Sequence, residues 1–119
     1  IDFRECNGDG EFKFVIEFNE FQYSGLGWMP IRVRSNNSDE NDKVSVLVEN
    51  NKFIETYYDN AGVYEFCRDN AENKIYIIGR NYYEVDGQAF TNVTEANFRN
   101  TAASVAEAYA KAEDVPAKK

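Results

Sequence analysis

The stretch Lys43–Thr91, KVSVLVENNKFIETYYDNAGVYEFCRDNAENKIYIIGRNYYEVDGQAFT, decides how the rest of the chain is read. Its runs are rich in Val, Ile, Tyr and Phe, which suit pleated, half-buried strands. Between them stand Asn50-Asn51, Asp59-Asn60-Ala61-Gly62, the segment 69–73 and Asp86-Gly87. Such residues tolerate positive φ or hydrogen-bond their own backbone, so each separator can reverse the chain within a few residues. The pattern predicts an antiparallel meander.

Tight hairpins would fix its faces. With Asn50-Asn51 as a two-residue loop, Val48 opposes Phe53, Val46 opposes Glu55 and Val44 opposes Tyr57. The next turn adds Tyr64, Phe66 and Arg68 to this more apolar face, the expected core side, with Glu55 and Arg68 as an internal ion pair. Ser45, Leu47, Ile54, Thr56, Glu65 and Cys67 then point the other way, together with Tyr76 and Ile78.

Upstream, residues 1–10 read as an irregular lead-in. Glu5, Asn7, Asp9 and Gly10 imitate the start of a calcium loop, but the position of its bidentate Glu is held by Ile16, so a turn is expected and no metal site. In 11–18, EFKFVIEF, the residues Phe12, Phe14, Ile16 and Phe18 alternate with Glu11, Lys13, Val15 and Glu17, a strand with one buried face. The Gly-flanked loop 24–30 carries Leu26, Trp28 and Met29, large apolar groups that either fold back to plug one end of the core or anchor a partner. Ile31–Arg34 is a short strand. The polar loop 35–42 carries Asp39, Glu40 and Asp42, which read as a solvated hairpin tip or as a place to hold a cation or meet a basic partner.

Downstream, the period changes. Phe98, Ala102, Val105, Tyr109 and Ala112 form one apolar stripe at helical spacing, and Asn92 with Glu95 resembles a capping box. A helix over 92–113 follows, with 114–119 as a frayed tail. The fold class expected is therefore α+β, mainly β: an antiparallel meander of about 6–8 strands with one C-terminal helix packed on it. One domain over 1–119 is expected, with strands spanning 11–91. One helix covers only one face of a sheet, so the other face calls for a second sheet, a partner or a homodimer.

The 119 residues carry 13 Lys+Arg against 21 Asp+Glu, a formal charge of −8. That balance disfavours nucleic acid and anionic lipid and suits a basic protein partner. No apolar run approaches the roughly 20 residues of a membrane-spanning helix. The first residue is Ile1 rather than Met, as after a cleaved export signal or a trimmed start; Cys6 and Cys67 read as one disulfide in an exported protein and as two buried thiols in a cytosolic one, and the disulfide is expected. Such a bridge closes a loop of about sixty residues and would contribute roughly 3–4 kcal/mol. The chain contains no His, no P-loop, no GxGxxG and no Cys-x-x-Cys. The commonest general base, nucleophile pairs and zinc sites are thereby absent. Glu55, Glu65 and Glu84 sit inside strands, where a carboxylate tuned for acid–base work could stand, although exposed strand faces account for most of them. Binding rather than catalysis is expected, with no cofactor.

Size, Cys6/Cys67, the −8 charge and the strand-rich layout resemble the periplasmic immunity proteins and lysozyme inhibitors of Gram-negative bacteria, including those against type VI cell-wall effectors. The resemblance implies a periplasmic or secreted protein that occludes the cleft of a basic cell-wall hydrolase. Leu26, Trp28, Met29, Asp39, Glu40 and Asp42 are the candidate contact residues. The alternative is a carbohydrate- or peptide-binding envelope module, or a structural subunit of an envelope assembly.

Overall fold

Ile16-Glu17-Phe18-Asn19-Glu20-Phe21, Val48-Glu49-Asn50-Asn51-Lys52-Phe53 and Ile78-Gly79-Arg80-Asn81-Tyr82-Tyr83 follow one pattern: an aliphatic residue, an Asn three positions on and an aromatic two beyond that. In a computed structural model these three segments lie on top of one another. The structure describes residues 1–4, 10–22, 29–34, 42–55, 57–58, 62–69, 75–98 and 104–119.

The chain winds in coils, each laying down one strand in each of three sheets. The first coil holds β1 (Asp2–Arg4), β2 (Gly10–Glu17) and β3 (Glu20–Gln22), and the second holds β4 (Ile31–Arg34), β5 (Asp42–Glu49) and β6 (Lys52–Ile54). A small hairpin, β7 (Tyr57–Tyr58) with β8 (Tyr64–Glu65), interrupts the winding. The third coil holds β9 (Cys67–Asp69), β10 (Ile75–Ile78) and β11 (Tyr82–Val85). β12 (Gln88–Ala89) folds back antiparallel on β11, and β13 (Ser104–Val105) begins a fourth circuit parallel to β10. Strand orders are β1-β4-β9, β2-β5-β10-β13 and β3-β6-β11-β12. Every pairing between successive coils is parallel. This is a parallel β-helix, in which each coil buries its inner face only by stacking on the next.

That architecture replaces the expected meander, and the reason is local. Asn50 does take the positive φ that its sequence suggests, 56°, but the corner it makes turns the chain from one sheet into the next instead of reversing it. Phe18 adopts the same conformation at the equivalent place, φ 59°, and the corners stack through Phe18 N–H to Asn50 O (3.1 Å) and Asn50 N–H to Arg80 O (2.7 Å). Val48 and Phe53 are thus inward residues on either side of one coil's corner and do not face each other across a hairpin. Asp86-Gly87 is a true hairpin turn, with φ 52° and 73°, as its sequence predicts.

The core runs along the axis. Ile16, Val46, Val48, Phe53, Phe66, Ile78, Tyr83 and Phe98 are buried there, and so is Cys67. Cys67 and Ile78 were expected on the opposite face; in a coil all three sheets share one interior, so the two-faced register does not apply. Glu65 is likewise buried, whereas Glu55 is exposed in a corner with φ 56°, which removes it from any internal pair with Arg68. Cys67 is a buried thiol on β9, and its expected partner Cys6 lies outside the described residues.

Nor does the expected helix appear among the described residues of 92–113. Glu95–Phe98 forms a single 3-10 turn, Ser104–Val105 is β13, and Ala112–Asp114 is another 3-10 turn. The first of these turns closes the end of the solenoid. Phe98 is fully buried, with ring centroids 6.2 Å from Phe66 and 6.0 Å from Tyr83. Asn97 ties it down by donating Nδ2–H to Tyr64 O at 2.9 Å and accepting Phe66 N–H at 3.1 Å on its carbonyl. Among the described residues no helix is long and apolar enough to cross a membrane.

Candidate functional site

Two ladders hold the corner between the second and third sheets of the coil. Asn51 and Asn81 are completely buried, so their amides must find partners inside the protein. Asn51 Oδ1 accepts Asn19 N–H at 3.0 Å, and Asn51 Nδ2 reaches Ile16 O at 2.9 Å and Glu49 O at 3.0 Å. Asn81 repeats the arrangement one coil on: its Oδ1 accepts Asn51 N–H at 2.9 Å, and its Nδ2 reaches Val48 O and Gly79 O, each at 3.1 Å. Two positions on, Phe21, Phe53 and Tyr83 stack with centroids 5.0 Å and 5.3 Å apart, both pairs at 18°. The ladder stops at Ala108, buried in the fourth circuit beside Tyr109, whose N–H donates to Asn81 O at 3.0 Å.

The outer side of this rigid corner carries a pocket. Phe18, Asn19, Glu20, Asn50 and Lys52 form one wall; Val115, Pro116, Ala117 and Lys118 form the other, enclosing about 260 Å³. The C-terminal segment reaches it by way of Tyr109, whose Oη donates to Asn50 Oδ1 at 2.9 Å while the Arg80 guanidinium lies 4.6 Å from its ring centroid. Residues expected as frayed tail are therefore a wall of the site.

Its chemistry is mixed. Phe18, Val115 and Pro116 supply apolar surface; Asn19, Asn50 and Glu20 supply amide and carboxylate groups. Glu20 stands beside Lys52 in strand register, and Gln22 Nε2 already occupies Glu20 Oε1 at 3.0 Å. Among the described residues neither Lys52 nor Lys118 closes an ion pair, and Asn50 Nδ2 has no hydrogen-bond partner. Lys52, Lys118 and Asn50 thus line one small hollow, together with Glu20, on a chain whose net charge is −8. An anionic group with an apolar or ring-shaped body matches that set.

The residues expected to bind a partner are not gathered there. Leu26, Trp28, Asp39 and Glu40 lie outside the described residues, and Asp42 opens β5. Met29 is buried, 5 % exposed, directly before β4, so it packs inward and offers no exposed anchor. Glu55, Glu65 and Glu84 do not converge either: Glu65 is buried on β8, Glu55 is exposed in its corner, and Glu84 accepts Tyr82 Oη at 3.3 Å on β11. Sequence reasoning passed over the pocket because Asn19 and Asn50 looked like turn residues and the tail like an end. The Asn spacing of 32 and 30 residues was the signal that could have located its corner. No protein family, no characterised protein and no solved structure matches this chain.

Proposed function

We propose that this chain is an exported, non-enzymatic glycan-binding module of β-solenoid form, and that its corner pocket holds a carboxylate-bearing sugar. One observation carries the reading: Lys52 and Lys118, neither closing an ion pair among the described residues, converge on a hollow that also presents Phe18, Asn50 and Glu20. The apolar face of a sugar ring would lie on Phe18 and Pro116, the carboxylate would sit between the two ammonium groups, and ring hydroxyls would meet Asn50 Nδ2 and Glu20. The wall formed by Phe18, Asn50 and Lys52 is held by the buried Asn ladder behind it, which lowers the ordering cost of binding on that side.

Titration calorimetry with uronic-acid oligosaccharides and their neutral counterparts tests this. Binding should favour the acidic series, weaken as salt rises, and drop roughly tenfold in each of Lys52→Gln and Lys118→Gln, about 1.4 kcal/mol apiece. Equal binding of neutral and acidic sugars, or full affinity in both variants, would overturn it.

A second reading, inhibition of a basic cell-wall hydrolase, is supported by the −8 charge and by the outward row Val15, Leu47, Ile77 on successive strands. An aligned apolar row with Glu17 and Glu49 side by side at one end suits a cationic protein surface. Residual muramidase activity in the presence of the domain checks it, and undiminished activity with no complex on gel filtration removes it.

A further inference from the structure

Tyr109 reaches further along the solenoid than its place in the ladder requires. Its N–H donates to Asn81 O, just as Tyr82 N–H donates to Asn51 O and Lys52 N–H to Asn19 O. Tyr109 is therefore the fourth-circuit counterpart of Lys52 and Tyr82, and its bridge to Tyr82 is parallel like the pairings between the coils. Neighbouring strands of such a ladder stand about 4.8 Å apart. Yet Tyr109 Oη meets Asn50 Oδ1 at 2.9 Å, two coils back and 59 residues away in sequence. The ring gets there by crossing the third coil, where the Arg80 guanidinium lies 4.6 Å from its centroid.

Asn50 is fixed by this contact. Its backbone is tied on both sides, N–H to Arg80 O at 2.7 Å and O to Phe18 N–H at 3.1 Å, with φ at 56°. Its side chain has the Tyr109 bond alone among the described residues. Oδ1 and Nδ2 share one planar carbon, so turning Oδ1 toward the phenol turns Nδ2 away from it. The reverse arrangement would bring an N–H to a hydroxyl whose ring already stands beside a cation, and would leave the phenol proton without this acceptor. Asn50 thus keeps a donor free on the wall that it shares with Lys52.

We infer, resting on the sugar-binding reading above, that Tyr109 is the positioning residue of the pocket: by taking Asn50 Oδ1 it commits Asn50 to the ligand as a donor. The ligand atom beside Asn50 is then an acceptor. A hydroxyl, ring or carboxylate oxygen fits there, and the ammonium of an amino sugar, which only donates, does not. Tyr109 also stands six residues before Val115, where the opposite wall begins, so its hydroxyl could serve that wall instead. The two roles separate in experiment.

Tyr109→Phe removes only the hydroxyl and keeps both the ring beside Arg80 and the N–H to Asn81. Side-chain nitrogen relaxation by NMR reads the amide without any ligand: the order parameter of Asn50 Nδ2 should fall from about 0.8 to below about 0.6. Calorimetry with a uronic-acid trisaccharide reads the consequence. Tyr109→Phe should weaken binding roughly fivefold, and Asn50→Gly, which keeps the positive φ at no steric cost, roughly tenfold. In the Asn50→Gly background, Tyr109→Phe should change affinity by less than about twofold, because the amide it positions is gone. A loss that persists in that background would mean that the hydroxyl only pins the C-terminal wall, and would overturn the positioning role. An Asn50 amide equally ordered in both proteins, or mobile in the parent, would overturn it too. If the parent binds no acidic sugar, the sugar-binding reading fails and the amide measurement alone decides what Tyr109 does.

Discussion

Asn51 Nδ2 lies 3.1 Å from Asn81 Oδ1, thirty residues further along the chain and one coil further along the axis. The contact is buried on both sides, and each amide also serves carbonyls of the coil before it, Ile16 O for Asn51 and Val48 O for Asn81. A side chain that ties its own coil to two others specifies register as well as stability.

Asn51→Ala should therefore cost more than an ordinary surface change. It leaves Ile16 O in the buried interior, and Glu49 O and Asn19 N–H in part-buried positions, without their Asn51 partner. At about 1–3 kcal/mol per stranded buried group, partly recovered by relaxation, the loss should reach about 3 kcal/mol or more. Asn19→Ala, at the exposed start of the ladder, should cost less than half as much. Urea denaturation of the two variants beside the parent gives the comparison, and equal losses would deny the ladder its buried character.

The aromatic stack makes a parallel claim about packing. Phe53 is 1 % exposed and sits between Phe21 and Tyr83, with Phe66 edge-on at 6.1 Å. Phe53→Ala should destabilise by about 3–5 kcal/mol, whereas Phe53→Leu, which keeps most of the volume, should cost about 1–2 kcal/mol. Thermal unfolding by near-UV circular dichroism reports both the loss and the changed aromatic environment.

The strands themselves were legible in the sequence, because alternation such as Phe14-Val15-Ile16-Glu17 marks an in–out pleat whatever lies beside it. Their pairing was not. Asn50-Asn51 carries the positive φ of a hairpin turn, and an alternating strand looks the same whether its neighbour runs parallel or antiparallel. What separates the two is the recurrence of Asn19, Asn51 and Asn81 with Phe21, Phe53 and Tyr83, a signal spread over three coils and invisible within any one of them. The 92–113 segment failed differently. Its apolar stripe is real, but Phe98, Val105 and Ala108 serve as separate plugs at the end of the solenoid, and the docked backbone overrides a modest helical preference. The pocket pairs a corner with a tail more than sixty residues away in sequence, as Lys52 and Lys118 show, and no local pattern encodes that meeting.

Alkaline pH should probe the centre of the stack. Burial lifts the Tyr83 phenol well above its ordinary value of 10.0; the neighbouring Cys67 adds to the rise, and the hydrogen bond from Asn81 Nδ2 works against it. The folded state thus holds this proton to higher pH than the unfolded chain does, so the unfolded chain binds fewer protons above about pH 10. The associated stability is complete below pH 10 and is lost as pH rises toward the folded-state value. Tyr83→Phe should cost about 1 kcal/mol at pH 7 through the lost hydrogen bond, yet lose less stability than the parent between about pH 10 and 11.5. Urea midpoints across that range decide it; parallel declines in the two proteins would mean that Tyr83 does not govern alkaline unfolding.

Gly79 shows how closely the coils approach at the corner. A Cβ built there would lie 2.4 Å from Glu49 Cβ, 2.9 Å from Glu49 Oε2 and 3.4 Å from Glu49 Cα. The carboxylate could swing aside, but the Cβ and Cα cannot move without displacing β5. Gly79→Ala should then destabilise by about 2–3 kcal/mol, the range for forcing extra volume into a packed site. Gly87→Ala is the control with the opposite cause: its φ of +73° strains an L residue, yet nothing lies within 4 Å of the new Cβ. That change should cost about 1 kcal/mol, from backbone conformation alone. Glu49→Gly removes the Cβ that clashes, so in the Gly79→Ala background it should recover part of the loss, whereas Glu49→Ala, which keeps that Cβ, should recover none. Recovery by Glu49→Ala would instead assign the cost to the carboxylate, and a Gly79→Ala loss no larger than that of Gly87→Ala would mean that β5 and β10 have room to part.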